Sequence, residues 1–129
     1  GIRARDVFIT PHEDFLPKGV SMPCLGIKDG RVTRRRLTGG AVEVAPEVVV
    51  IVFTSLRKDH EAVILGDSKE QGVLDLADAV RGILDHNLLG LPGMEDAWCA
   101  QESGSEMFED ESRAIQRKLL AFQYKREVA

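Results

Sequence analysis

The chain has 129 residues, a length that fits one domain, and its 43% apolar and 29% charged residues are typical of an ordered, soluble protein. Its net charge of −4 argues against a protein whose whole surface binds nucleic-acid phosphates. We find no apolar run long enough to span a membrane and no secretory leader. Two cysteines, Cys24 and Cys99, are few for a disulfide scaffold. We expect two reduced, buried thiols, with one bridge between them as the alternative.

The first third of the chain predicts a β-hairpin. A short apolar run at residues 7–9 comes first, and a strand is predicted at 22–28. Asp29 and Gly30 follow, and Asp-Gly is a strong signal for a tight turn because glycine accepts a positive φ. The returning strand would then cover residues 31–37.

Residues 41–54 have the most strand-like sequence of the chain. Residues 48–53 read VVVIVF, and branched and aromatic side chains favour a packed, pleated surface. Because this run is apolar on both faces, it predicts a central strand that is covered on both sides. Pro46 cannot donate to a ladder, so it marks an edge, a bulge or the start of the strand.

One amphipathic helix is predicted at about 72–89. Apolar residues recur there at helical spacing, namely at Val73, Leu76, Ala77, Val80, Ile83 and Leu84. Gly82 lowers helix propensity and suggests the close approach of another backbone. Asn87 or Gly90 is predicted to supply the left-handed C-terminal cap.

The remaining segments give less uniform signals. Residues 62–65 could form a short strand or a helical turn, whereas 97–99 suggest a strand. Residues 101–112 are acidic and polar, and they predict an ordered loop or a flexible arm. For 114–128 we favour a strand over a helix, and this strand would pair beside residues 48–53.

Candidate metal ligands occur at His12, Glu13 and Asp14. A small metal-dependent hydrolase could use them with a distant histidine, His60 or His86. However, zinc sites show paired ligands at short, fixed spacing, and these five residues do not. We therefore interpret residues 12–14 as solvated loop charges and predict no metal and no cofactor.

Other candidates for catalysis are equally weak. Asp75, Asp78 and Asp85 lie opposite the apolar stripe of the predicted helix, where burial is not expected to separate their pKa values. Cys99 would need a nearby histidine base to act as a nucleophile. No glycine-rich phosphate loop is present. The sequence therefore predicts a protein that is not an enzyme.

Two clusters of opposite charge are the main candidate interaction residues. Four arginines lie close together at Arg31, Arg34, Arg35 and Arg36, and Arg34 and Arg36 would share one face of a strand. Five acids follow later in the chain, at Glu102, Glu106, Glu109, Asp110 and Glu111. The arginines could bind nucleic acid, or an acidic surface on a neighbouring copy of the chain. Plain solvation of the charges is the third interpretation.

Three stretches of the sequence resemble the tail terminator (tail completion) proteins of long-tailed bacteriophages. The first is VFITP at 7–11 with MPCLGIKDG at 22–30, and the second is VVVIVF at 48–53 followed by ILGD at 64–67. The third is GVLDL at 72–76, continuing through ILDHNLLGL to residue 91. In addition, residues 117–126 resemble the last strand of that family. Members of that family begin with a helix before the first strand, for which residues 1–5 are too short.

The resemblance implies an α+β fold, in which a mixed, mostly antiparallel sheet has the helix packed on one of its faces. It implies a structural virion protein whose copies, usually six, form a ring on the last ring of the tail tube. The ring ends tube polymerisation, joins the head through a connector protein, and lets genome DNA pass without sequence-specific binding. An acidic bore would keep phosphates from adhering, and the acids at 101–112, or Asp75, Asp78 and Asp85, are candidates for its lining. Another neck or head-completion protein is the alternative.

Overall fold

The computed structural model describes residues 4–13, 15–55, 72–91, 93–110 and 113–128. A short 3-10 helix at Ala4–Asp6 precedes the sheet. The other elements, in chain order, are β1 (Val7–Ile9), β2 (Cys24–Arg36), β3 (Val42–Ser55), α1 (Val73–Leu84), β4 (Met94–Glu102), β5 (Glu106–Asp110) and β6 (Arg113–Val128). Residues 62–65, predicted as a strand or a turn, lie outside the described part of the chain.

The sheet has six strands in the order β1-β2-β3-β6-β4, and β5 also pairs with β6. Only the short β1 runs parallel to its neighbour, β2, and the other pairs are antiparallel. This confirms the predicted α+β fold with a mixed, mostly antiparallel sheet and one helix. The final segment is a strand, and it pairs with β3 from Val42 opposite Val128 to Ser55 opposite Ile115, as predicted.

The C-terminal half of β3 is covered on both faces. Val50 and Val52 are buried in a cluster with the apolar residues of α1. Ile51 and Phe53 point to the opposite face, where the loop between β1 and β2 packs on them. Each fully buried side chain of this size contributes about 1.5–3 kcal/mol. The VVVIVF run therefore forms the central strand that its composition predicts.

The hairpin predicted at Asp29-Gly30 is wrong, because β2 continues through both residues. Gly30 and Arg31 together lie opposite the single residue Glu47, which is a β-bulge. A Cβ on Gly30 would lie 2.7 Å from a Glu47 carboxylate oxygen, so glycine is needed here for close approach. Pro46 lies beside this bulge, which agrees with one of its three predicted roles.

The true turn between β2 and β3 lies ten residues later in the chain, at Gly39-Gly40. Leu37 N–H donates to the Ala41 carbonyl at 2.8 Å. Gly39 and Gly40 both have a φ of +87°, which residues with a Cβ rarely adopt. The glycine pair, and not Asp29-Gly30, therefore supplies the positive φ of the hairpin.

The helix ends at Leu84, five residues before its predicted end. His86, and not Asn87, takes the left-handed conformation there, with a φ of +59°; the other predicted cap, Gly90, has a φ of +68° but lies six residues beyond the helix. Asn87 instead caps the helix with its side chain, whose Nδ2 donates to the Ile83 carbonyl at 3.1 Å. A Cβ on Gly82 would meet no described atom within 4 Å, so the described residues provide no backbone that approaches it.

The loop predicted at 101–112 is largely strand. Gln101 and Glu102 are the last residues of β4, opposite Ala121 and Leu120 of β6. After a short connection, β5 pairs with the N-terminal part of β6. The 16-residue β6 is longer than β4, so it offers backbone partners that local polarity cannot reveal. Residues 111–112 lie outside the described chain.

No helix among the described residues has the length and apolar character needed to cross a bilayer.

Candidate interaction surface

The outer edge of β2 is open over much of its length. The short β1 pairs only with residues 25–27, and Thr10 N–H adds one bond of 2.9 Å to the Ile27 carbonyl. From Lys28 to Arg36, no described residue pairs with this edge. Backbone donors and acceptors along an open edge are available to a strand from another molecule.

The turn geometry shows which residues point their backbone groups outward. Leu37 and Ala41 form a hydrogen-bonded pair. Such pairs alternate with non-bonded pairs along an antiparallel ladder. The N–H and C=O groups of Val32, Arg34 and Arg36 therefore point away from β3, toward the open edge.

All four predicted arginines lie on this exposed part of β2. Arg34 and Arg36 share one face, as the strand period predicts, and Arg35 points to the other. Arg35 contacts the Glu43 carboxylate at 3.1 Å, although its side chain is 68% exposed. Surface pairs of this kind contribute little to stability, so the cluster keeps most of its charge available.

On the opposite side of the sheet, the outer edge of β4 is capped by residues that follow α1. His86 N–H donates to the Ala97 carbonyl at 2.6 Å. Ala97 N–H donates to Asp96 Oδ1 at 2.8 Å, and Cys99 N–H donates to Asp85 Oδ1 at 2.7 Å. The middle of β4 is thus closed to another strand.

This geometry corrects the prediction for the helix acids. Asp75 and Asp78 are exposed, as expected, and Asp78 pairs with Arg81. Asp85 is half-buried and binds the β4 backbone, so it is not part of a solvated helix face. The prediction was wrong because the helix ends at Leu84, and Asp85 no longer follows the helical period.

The outer edge of β5 has no described partner strand. Its five residues include three acids, Glu106, Glu109 and Asp110, and no cation. Glu106 reaches Arg117 Nη2 at 3.5 Å. The structure describes Glu109 and Asp110 by their backbone, opposite Ala114 and Arg113. The predicted partner Glu111 lies outside the described residues.

Glu102, the first acid of the predicted cluster, is engaged within the molecule. Its carboxylate lies 3.4 Å from Arg81 Nε on the helix and 3.4 Å from Lys118 Nζ on β6. The buried Lys118 also donates to the Ser103 carbonyl at 2.8 Å. This cluster joins the helix to the sheet. Glu102 therefore has a different role from the acids of β5.

A shallow groove of about 470 Å³ lies on the sheet face opposite α1. Val49, Leu119 and Ala121 form its apolar floor, and acids including Glu13 and Glu47 lie at its rim. Among the described residues, its lining holds no histidine, cysteine or lysine, and Ser103 supplies its one hydroxyl group.

Cys99 lacks the features of an activated thiol. Neither cysteine forms a disulfide, and Cys24 is buried as expected, but Cys99 is only half-buried, in contrast to the prediction of two buried thiols. Burial raises the pKa of the Cys99 thiol, and the nearby carboxylates of Glu102 and Asp85 raise it further. A reactive cysteine needs a lowered pKa, so this environment disfavours nucleophilic chemistry.

The predicted metal ligands are not brought together in the described chain. His12 is exposed, and its backbone N–H donates to Thr10 Oγ1 at 3.1 Å. Asp14 and His60 lie outside the described residues. His86 lies beside Asp96, 3.0 Å from Oδ1. Within the described ranges, no three His, Cys, Asp or Glu side chains form a group that could hold a metal ion.

The cap on β4 is the feature of this surface that the sequence did not predict. Asp85-His86, directly after the last apolar helical residue, is its one local signal. The partner strand is ten or more residues away, and helical periodicity says nothing about it. In comparisons with known proteins, no family model matches the chain, and no curated protein matches it.

Proposed function

We propose that the chain is a structural subunit that assembles head-to-tail into a closed ring and acts by binding, not by catalysis. We place this ring at the end of a phage tail because the sequence resembles those of phage tail terminators. The ring caps the tail tube, ends its polymerisation and offers the surface that joins the head. The protein would then act in the tail or neck of the virion, after assembly in the host cytoplasm.

The observation that carries the proposal is the opposite charge of two open edges of one sheet. The open part of β2, Lys28–Arg36, carries five cations and one acid, whereas β5 carries three acids. Strands β3 and β6 separate the two edges, so they cannot meet within one molecule. A contact between different surfaces of two copies repeats around an axis, and it produces a ring when the rotation closes.

Charge also supports passage of DNA through the bore. A net charge of −4 and the exposed carboxylates of Asp75 and Asp78 disfavour tight binding of phosphates. The arginines, by contrast, would be neutralised by a neighbouring copy. The proposed ring contains six copies of the chain, with a tail tube protein below it and a connector protein above it. A different neck or head-completion ring is the alternative within this class.

The test is native mass spectrometry of the purified chain, followed by negative-stain imaging with and without tail tubes. We expect a closed particle of several copies that decorates one end of each tube. A ring that ignores tubes but binds the head connector would favour the alternative. A chain that stays monomeric both with and without tail tubes would contradict the proposal.

A nucleic-acid-binding role for the arginines predicts a different result. DNA binding that weakens steeply with salt and disappears in Arg34→Ala with Arg36→Ala would support that role. In the proposed ring, the same two changes reduce assembly instead.

A further inference from the structure

We propose that neighbouring copies join by strand addition, so that the open edge of β2 in one copy pairs with the open edge of β5 in the next and the sheet continues between subunits. This inference rests on the proposed ring, and it specifies the contact within it. The partner of each edge is a second copy of this chain. The proposed bonds are backbone hydrogen bonds, in addition to ion pairs between side chains.

The charge pattern selects this pairing over others. Two β2 edges would place arginine beside arginine, and two β5 edges would place acid beside acid. Like charges directly opposite each other destabilise a strand pair, whereas opposite charges stabilise it. The same arginines that prevent pairing of identical edges therefore favour the acidic edge of another copy.

The cap on β4 makes this strand a poor partner for the β2 edge of another copy. Asp85 and His86 already occupy the outward backbone groups of Cys99 and Ala97. An incoming strand would have to displace these bonds. On this side of the described sheet, β5 is left as the segment with free backbone groups.

The two edges also match in length and in apolar character. Beyond the bulge, β2 offers the five residues from Val32 to Arg36, and β5 has five residues. Each edge exposes a large apolar side chain, since Val32 is 46% and Met107 is 64% exposed. Strand addition would remove apolar area of both from water.

Strand direction gives the geometry of the contact. Within one sheet, β2 and β5 run in opposite directions, because three antiparallel pairings separate them. Copies related by a rotation that preserves strand direction would therefore join β2 to β5 as an antiparallel pair. This is the same pairing that the rest of the sheet uses.

A proline substitution separates backbone pairing from side-chain attraction. Arg34 N–H points to the open edge, so Arg34→Pro removes a bond available to a partner and spares the bonds to β3. Arg34→Ala removes the same charge but keeps the N–H. Strand addition predicts an apparent association constant roughly tenfold lower for the proline variant than for the alanine variant. Equal association constants for the two would overturn it.

A reciprocal charge exchange tests which two edges meet. The first variant carries Arg34→Glu with Arg36→Glu, and the second carries Glu109→Lys with Asp110→Lys. Glu106 is left unchanged because it contacts Arg117. We expect each variant alone to remain monomeric, and an equimolar mixture to assemble into particles of alternating copies.

The outcomes distinguish this contact from the proposed function. Circular dichroism and thermal unfolding first establish that each variant is folded. If the unaltered chain forms rings and the mixture fails to assemble, strand addition between β2 and β5 is wrong and the ring stands. If the unaltered chain does not associate, with or without tail tubes, the ring itself is wrong.

Discussion

Asp85 Oδ1 accepts a hydrogen bond of 2.7 Å from the backbone N–H of Cys99, and this bond ties the end of the helix to the outer edge of β4. Its neighbour His86 donates its own backbone N–H to the Ala97 carbonyl on the same edge. Two consecutive residues thus close the middle of the β4 edge, although neither lies in a strand. A capped stretch of edge does not recruit other strands, so among the described strands β2 and β5 have edges that remain for pairing.

Replacing Asp85 with alanine should destabilise the protein. The change leaves the Cys99 N–H without its charged acceptor, so we expect a loss of about 1.5–3 kcal/mol in the free energy of unfolding. Urea denaturation measures it. Asp29→Ala is the matched control, because the Asp29 side chain is 96% exposed and its loss should cost under about 0.5 kcal/mol. Equal stability of the two variants would rule out this role for Asp85.

Gly30→Ala should also destabilise the protein, through crowding at the bulge. The new Cβ would lie 2.7 Å from Oε1 of Glu47 and 3.0 Å from its Cβ and Cγ. Such overpacking typically costs about 1–3 kcal/mol. Adding Glu47→Ala removes two of the three close atoms, so the double variant should recover part of the loss in a urea titration. If the double variant is no more stable than Gly30→Ala alone, crowding against Glu47 at the bulge is not the cause of the loss.

Gly82→Ala should have the opposite effect on stability. Gly82 lies in the exposed part of α1, and a Cβ there would meet no described atom within 4 Å. Alanine favours the helix by about 0.8–1.0 kcal/mol relative to glycine. We expect a higher melting temperature by differential scanning calorimetry. A lower one would indicate that the small residue is required for a contact.

The His86–Asp96 pair predicts a pH dependence. The hydrogen bond that the His86 ring donates to Asp96, together with the charge of that carboxylate, raises the pKa of His86 above 6.5. The stabilisation from this pair is therefore present below pH 6.5 for as long as Asp96 remains ionised, and it is lost as the pH rises through the raised pKa of His86. Asp96→Asn removes the charge and should return the pKa toward 6.5 in an NMR titration of the His86 ring. A pKa of His86 that does not change in this variant would exclude Asp96 as the cause.

The central strand and the last strand could be predicted from the sequence because their patterns arise from burial. Val50 to Phe53 are apolar on both faces; α1 covers one face and the loop between β1 and β2 covers the other. The ambiguous last segment was resolved by its pairing with β3, which is a tertiary effect. The prediction that Arg34 and Arg36 share one face required only the strand period.

Three of the errors share a physical cause, since each concerns residues whose conformation is set by a distant partner. Gly30 looked like a turn residue, but it accommodates the Glu47 side chain across the ladder. Asp85 looked like a solvated carboxylate, but it binds β4. The acids of β5 looked like a loop, but β6 extends far enough to pair with them. Local composition carries no information about such partners.

Copies of the chain are proposed to form a closed assembly through unlike edges. The most direct measurement is native mass spectrometry of the unaltered chain, of each charge-exchanged variant, and of their equimolar mixture. We predict a closed particle for the unaltered chain, monomers for each variant alone, and particles containing equal numbers of both variants in the mixture. An unaltered chain that stays monomeric at all concentrations and beside tail tubes would contradict the account.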